Sequence, residues 1–132
     1  MRPLMFRLII ILGILLAAST CIWAQGGKAE SKRIEFQTGK TSTALTGTLW
    51  NGSEMEYVFA AAKGQRVVIK NTKTNLFDFR VFNLEFDFET EFESSPVLEF
   101  EIPETGDYLL YVRKKMVARP RTARFSLTLT IK

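Results

Sequence analysis

The chain contains no histidine and only one cysteine, Cys21, among its 132 residues. Without histidine there is no Ser-His-Asp or Cys-His pair to activate a nucleophile, and no imidazole to ligate a metal. A lone cysteine forms no intrachain disulfide. Also missing after residue 24 is any stretch whose apolar residues recur at the 3.6-residue period of a helix. Only one long apolar run exists, Leu8 to Ala18, and it is shorter than the roughly 20 residues a bilayer-spanning helix needs.

Arg2 and Arg7 precede that run and Ile22-Trp23-Ala24-Gln25 follows it, the pattern of a secretory signal peptide cut after Ala24. Residues 1–24 are read as the signal peptide, 25–31 as a flexible polar linker and 32–132 as a single domain. Export implies a periplasmic or secreted location, with no membrane span left after cleavage. Lipid anchoring at Cys21 is disfavoured, because Thr20 stands where a small residue should precede a lipidated cysteine. Cleavage takes Arg2 and Arg7 from a formal charge of +4, leaving about +2, too mild a balance to indicate a nucleic-acid partner.

Alternation is what the remainder has in abundance. Phe77, Phe79 and Val81 alternate with Asp78, Arg80 and Phe82, and Phe125, Leu127, Leu129 and Ile131 alternate with Ser126, Thr128 and Thr130. A period of two places each apolar set on one face of a strand. Between such runs lie turn signals: Asn51-Gly52, Lys63-Gly64, Asn71 to Asn75, Ser94-Ser95-Pro96 and Pro103 to Gly106. Asn51-Gly52 and Lys63-Gly64 are expected to close β-hairpins. The whole predicts an all-β fold, an antiparallel β-sandwich of eight to nine short strands.

The charges are segregated. From Asn83 to Glu104 there are eight acids and no cation. Five of them, Glu85, Asp87, Glu89, Glu91 and Glu93, alternate with Leu84, Phe86, Phe88, Thr90 and Phe92, which predicts one strand with an acidic face. Neighbouring carboxylates on such a face stand about 7 Å apart, near the spacing of a glycosidase pair. That chemistry needs one carboxyl raised in pKa by a partly apolar cleft, and a regular solvated row provides none. A flat row also encircles calcium poorly. The row is read as a solvated face that discourages strand-to-strand aggregation, with no metal, no cofactor and no enzymatic role.

Directly after it comes a basic segment. Between Arg113 and Arg124 stand Arg113, Lys114, Lys115, Arg119, Arg121 and Arg124, with no acid and one proline, Pro120. Cations on a loop are usually only solvated. The sharper reading is an anion-seeking tip, in which Arg119 and Arg121 flank a stiff Pro120 and offer paired hydrogen bonds to a carboxylate. Arg113, Lys114, Lys115, Met116, Arg119 and Arg121 are the candidate binding residues. Nucleic acid fits poorly, since the acidic stretch repels a polyanion and no aromatic interleaves with the cations.

The chain resembles the small β-sandwich domains related to bacterial pre-peptidase C-terminal domains. Gly47-Thr48-Leu49, Tyr57-Val58-Phe59 and Gly64-Gln65 carry the likeness at the front, and Gly106-Asp107-Tyr108 with Leu110 to Val112 carries it at the close. Within that group it looks most like the periplasmic inhibitors of goose-type lysozyme, through Met116, Ala118-Arg119, and Ala123 two residues before Phe125. Pro120 replaces the second arginine of the inhibitors' pair, Arg121 stands where an acid usually follows, and the loop is about two residues shorter. Only Arg119 carries over directly. The resemblance implies a jelly-roll-like or pre-peptidase-like sandwich that inhibits a lysozyme by inserting its basic loop into the substrate cleft. The alternative is an envelope module of the same fold that binds glycan or protein without inhibiting.

Overall fold

Alternating residues become two facing sheets in the computed structural model, which describes residues 31–132. The expected signal peptide, Cys21 and the linker up to residue 30 lie outside the described residues. Nine strands follow in order: β1 (Lys32–Arg33), β2 (Ser42–Trp50), β3 (Glu54–Ala61), β4 (Arg66–Asn71), β5 (Phe77–Asn83), β6 (Phe88–Glu89), β7 (Val97–Glu101), β8 (Gly106–Lys114) and β9 (Thr122–Ile131). One sheet runs β1-β3-β8-β5-β6 and the other β2-β9-β4-β7. All pairings are antiparallel except β1 with β3, which is parallel. The fold is an all-β sandwich. Among the described residues no helix is long and apolar enough to cross a membrane.

The inward positions are those the period of two selects. Phe77, Phe79 and Val81 from β5, Tyr108, Leu110 and Val112 from β8, and Phe125, Leu127 and Leu129 from β9 are all fully buried. Burying a large aliphatic or aromatic side chain stabilises by about 1.5–3 kcal/mol, and this shared core takes the place of a disulfide. Tyr108 keeps its hydroxyl satisfied by donating to the Glu104 carbonyl at 2.6 Å. Gly47 sits opposite Phe125, and a Cβ there would come within 2.8 Å of the Phe125 ring. Glycine at that point of β2 leaves room for the ring.

The two expected hairpins are not hairpins. β2 and β3 belong to different sheets, as do β3 and β4, so Asn51-Gly52 and Lys63-Gly64 carry the chain across the sandwich. A two-residue hairpin of the favoured Asn-Gly kind needs positive φ at both residues. Here only the glycines have it, Gly52 at 78° and Gly64 at 89°, with Ser53 N–H donating to Trp50 O and Gln65 N–H to Ala62 O, both at 3.0 Å. That is the pattern of type II turns, which splay the strands they join.

The expected acidic strand also breaks. Asn83 accepts hydrogen bonds on Oδ1 from the N–H groups of Glu85 (2.6 Å) and Phe86 (3.0 Å), and its Nδ2 donates to Asp107 O (2.6 Å). This side-chain turn ends β5, throws Leu84 out to 83% exposure and leaves β6 only two residues long. Phe88 then packs inward against Phe100 and Tyr108, whereas Phe92 lies on the outer side beneath the Arg113 guanidinium. No single face therefore carries all five acids.

Candidate functional site

β8 and β9 are inner strands of opposite sheets, so the basic segment 115–121 bridges the sandwich at one end and is not the tip of a hairpin. The turn at Asn51-Gly52 and the connection 72–76 share that end. Asn51 fastens the segment and the end of β8 in three places. Its N–H donates to Arg121 O at 2.8 Å, its Nδ2 donates to Val117 O at 2.6 Å, and its Oδ1 accepts from Lys114 Nζ at 2.8 Å. Gly52 N–H adds a bond to Lys114 O (3.1 Å), and Lys114 N–H one to Ser53 O (3.1 Å).

The six candidate residues separate into two groups. Arg113 makes two hydrogen bonds to Asp78, Nε to Oδ1 at 3.1 Å and Nη2 to Oδ2 at 2.8 Å, while its guanidinium lies 3.7 Å from the Phe92 ring centre. Those bonds to Asp78 raise its pKa above the usual arginine value. Lys114 departs most from expectation. It is fully buried, with Nζ donating to Asn51 Oδ1 and to Lys115 O at 3.0 Å, because β8 continues through it and its alternation points it inward. Lys115 is half-buried, its Nζ donating to Thr74 O at 2.8 Å and its N–H to Leu76 O at 2.8 Å.

Met116, Arg119 and Arg121 form the exposed crest. Met116 is 80% exposed, and neither arginine side chain has a hydrogen bond or ion pair among the described residues. The Arg119–Pro120 peptide is cis. Beside the crest Trp50 is 65% exposed, and Arg124 lies on the outer face of its sheet with Nη2 donating to Thr46 Oγ1 at 3.2 Å. Sequence reasoning overlooked both Trp50 and the clamp at Asn51. Trp50 stands last in the Leu45, Gly47, Leu49 alternation, on the outward phase, which was the available signal.

This end presents the Met116, Arg119, Arg121 and Trp50 side chains to solvent. Two shallow depressions, lined by residues such as Phe36, Thr41 and Ile131 or Ala62, Thr105 and Gly106, lie at the opposite end. Among the described residues no three acidic, cysteine or histidine side chains converge to hold a metal. Arginine, tryptophan and methionine are the residue types enriched where proteins meet proteins.

No family profile matches the chain, and no curated protein does. Solved structures do. The periplasmic inhibitor of g-type lysozyme from Salmonella Typhimurium is 20% identical with a TM-score of 0.65, over 80% of this chain and 100% of that one. The Aeromonas hydrophila inhibitor is 21% identical with a TM-score of 0.63, over 77% and 96%. The pre-peptidase C-terminal domain of a Bacillus anthracis collagenase is 18% identical with a TM-score of 0.53, over 81% and 99%. At these identities the likeness is one of fold.

Proposed function

We propose that this chain is an exported, periplasmic inhibitor of a g-type lysozyme, which it blocks by placing the crest Met116 to Arg121 in the enzyme's substrate cleft. One observation carries the reading: two arginine side chains without partners among the described residues stand on a crest that Asn51 fastens at Val117 and Arg121 and, from below, at Lys114. The cleft of a glycosidase holds a carboxyl group essential to its chemistry, and a guanidinium pairs with a carboxylate through two parallel hydrogen bonds. A crest held in place before binding loses less conformational entropy on docking. Arg119 is the foremost contact, with Arg121 in the place of the inhibitors' second cation. Lys114 takes no direct part and sets the shape of the crest from below. The fold shared with two lysozyme inhibitors supports this reading.

Titration of the purified protein against a g-type lysozyme acting on peptidoglycan tests it. Inhibition at micromolar concentration or below is expected, and Arg119→Ala should weaken it by tenfold or more, about 1.4 kcal/mol of binding. Absence of inhibition would sink the function; full inhibition by Arg119→Ala would sink the role of the crest. The other reading, a module binding envelope glycan or another protein, rests on exposed Trp50. It predicts retention on cell-wall glycan that Trp50→Ala abolishes, with no effect on any lysozyme.

A further inference from the structure

The crest carries one side chain whose own chemistry docking leaves unused. Met116 is among the most exposed apolar residues described, yet the chain on either side of it is pinned. Lys115 N–H donates to Leu76 O at 2.8 Å before it, and Val117 O accepts from Asn51 Nδ2 at 2.6 Å after it. A thioether is thereby held out in water on the same crest as Arg119 and Arg121, where an apolar group gains nothing until a partner covers it.

The other sulfur of the fold is kept differently. Of the four methionines, Met1 and Met5 fall in the expected signal peptide, which leaves Met55 and Met116. Met55 is half-buried against the core, and its Sδ accepts from the Tyr57 hydroxyl at 3.1 Å. Met116 Sδ lies beside Gly52, 4.0 Å from where a Cβ on that glycine would stand, and the rest of the side chain faces solvent. Cys21, the one thiol that would react with an oxidant sooner, falls in the same expected signal peptide.

We propose, resting on the inhibitor reading, that Met116 is an oxidation site that switches the crest off. The oxidant is hydrogen peroxide, which an exported chain meets outside the reducing cytoplasm. The Met116 sulfur attacks one peroxide oxygen, an S–O bond forms as the O–O bond breaks, and the thioether becomes a sulfoxide while the peroxide is reduced to water. A flexible apolar side chain becomes a polar one at the spot the partner must cover. Burying that S=O dipole without a donor costs free energy that burying the thioether does not, so the oxidised crest holds lysozyme more weakly.

Brief treatment of the purified protein with hydrogen peroxide, followed by fragment masses and by titration against a g-type lysozyme, tests this. Met116 should gain one oxygen well before Met55 does. Inhibition should then weaken tenfold or more, and return when the two epimer-specific methionine sulfoxide reductases remove the oxygen. Met116→Leu, whatever its starting level, should inhibit equally before and after peroxide. Oxidation of Met55 as fast as Met116, inhibition undiminished by a sulfoxide at Met116, or a loss in Met116→Leu as large as in the unsubstituted protein would each overturn the switch alone. A protein that fails to inhibit before peroxide is added would overturn the inhibitor reading and the switch with it.

Discussion

Arg113, Lys114 and Lys115 at the root of the basic segment and Arg119 and Arg121 at its crest are cations only a few positions apart, yet they meet opposite surroundings. Each root residue has its charged group bound to a carboxylate, a side-chain amide or a backbone carbonyl. The crest arginines have no such partner among the described residues. Strand continuation explains the difference. β8 runs on through Lys114 and therefore imposes its inward and outward alternation on the first two cations, whereas residues 115–121 lie outside any strand and obey no such rule. Positive charge counted along a chain is thus a poor measure of charge available to a partner.

The sharpest way to break the comparison is to remove the buried cation. Lys114→Ala deletes a fully buried stem and leaves Asn51 Oδ1 and Lys115 O without their donor. Lost packing and unsatisfied acceptors together should destabilise by about 3 kcal/mol, read as a fall in Tm on the order of 15 °C. The same substitution at Arg121 should stay within about 0.5 kcal/mol, as expected for an exposed residue without partners. If the two variants melt alike, the separation of root from crest fails.

A smaller effect should follow from Asn51→Ala, which removes two side-chain bonds but keeps the backbone bond to Arg121 O. About 2 kcal/mol of stability should be lost, on the basis of about 1 kcal/mol for each hydrogen bond. Inhibition should also weaken although the crest residues are intact, because a looser crest has more entropy to lose on docking. Normal inhibition by a destabilised Asn51→Ala would show that the clamp serves folding only.

How far these features could be read beforehand follows from the range over which each interaction acts. Inward faces of β5, β8 and β9 were legible because burial alternates with the strand's own period, a property of neighbouring residues. The hairpins assigned to Asn51-Gly52 and Lys63-Gly64 were not, since a type II turn and a hairpin turn use the same residues and differ in which sheet the next strand joins. Asn83 ended the acidic strand through a side-chain turn that pure alternation overlooks. Within the site, exposed Met116, Arg119 and Arg121 matched the expectation for a loop. The burial of Lys114 did not, because its partner Asn51 is 63 positions away.

The weakest test sets the root's ion pair against one at the far end. Arg113 and Asp78 are 37% and 10% exposed, whereas Arg33 and Asp107, joined at 2.6 Å, are 52% and 55% exposed. The hydrogen bond from Arg33 holds the Asp107 carboxyl below the ordinary aspartate range. A carboxyl lowered in the folded state adds stability above its unfolded pKa of about 3.9, and that stability disappears as pH falls through the folded value. Water and salt screen so exposed a pair, so Asp107→Asn should barely change Tm at neutral pH, and even that change should vanish in molar salt or once pH falls below the carboxyl's lowered folded value. Asp78→Asn should lower Tm measurably in both salt conditions, because it replaces a mostly buried carboxylate with a neutral amide and leaves Arg113 stacked on Phe92 without its counter-charge. Thermal melts of both variants at low and high salt make the comparison, and equal sensitivity to salt would show that the root pair is no better shielded than an ordinary surface pair.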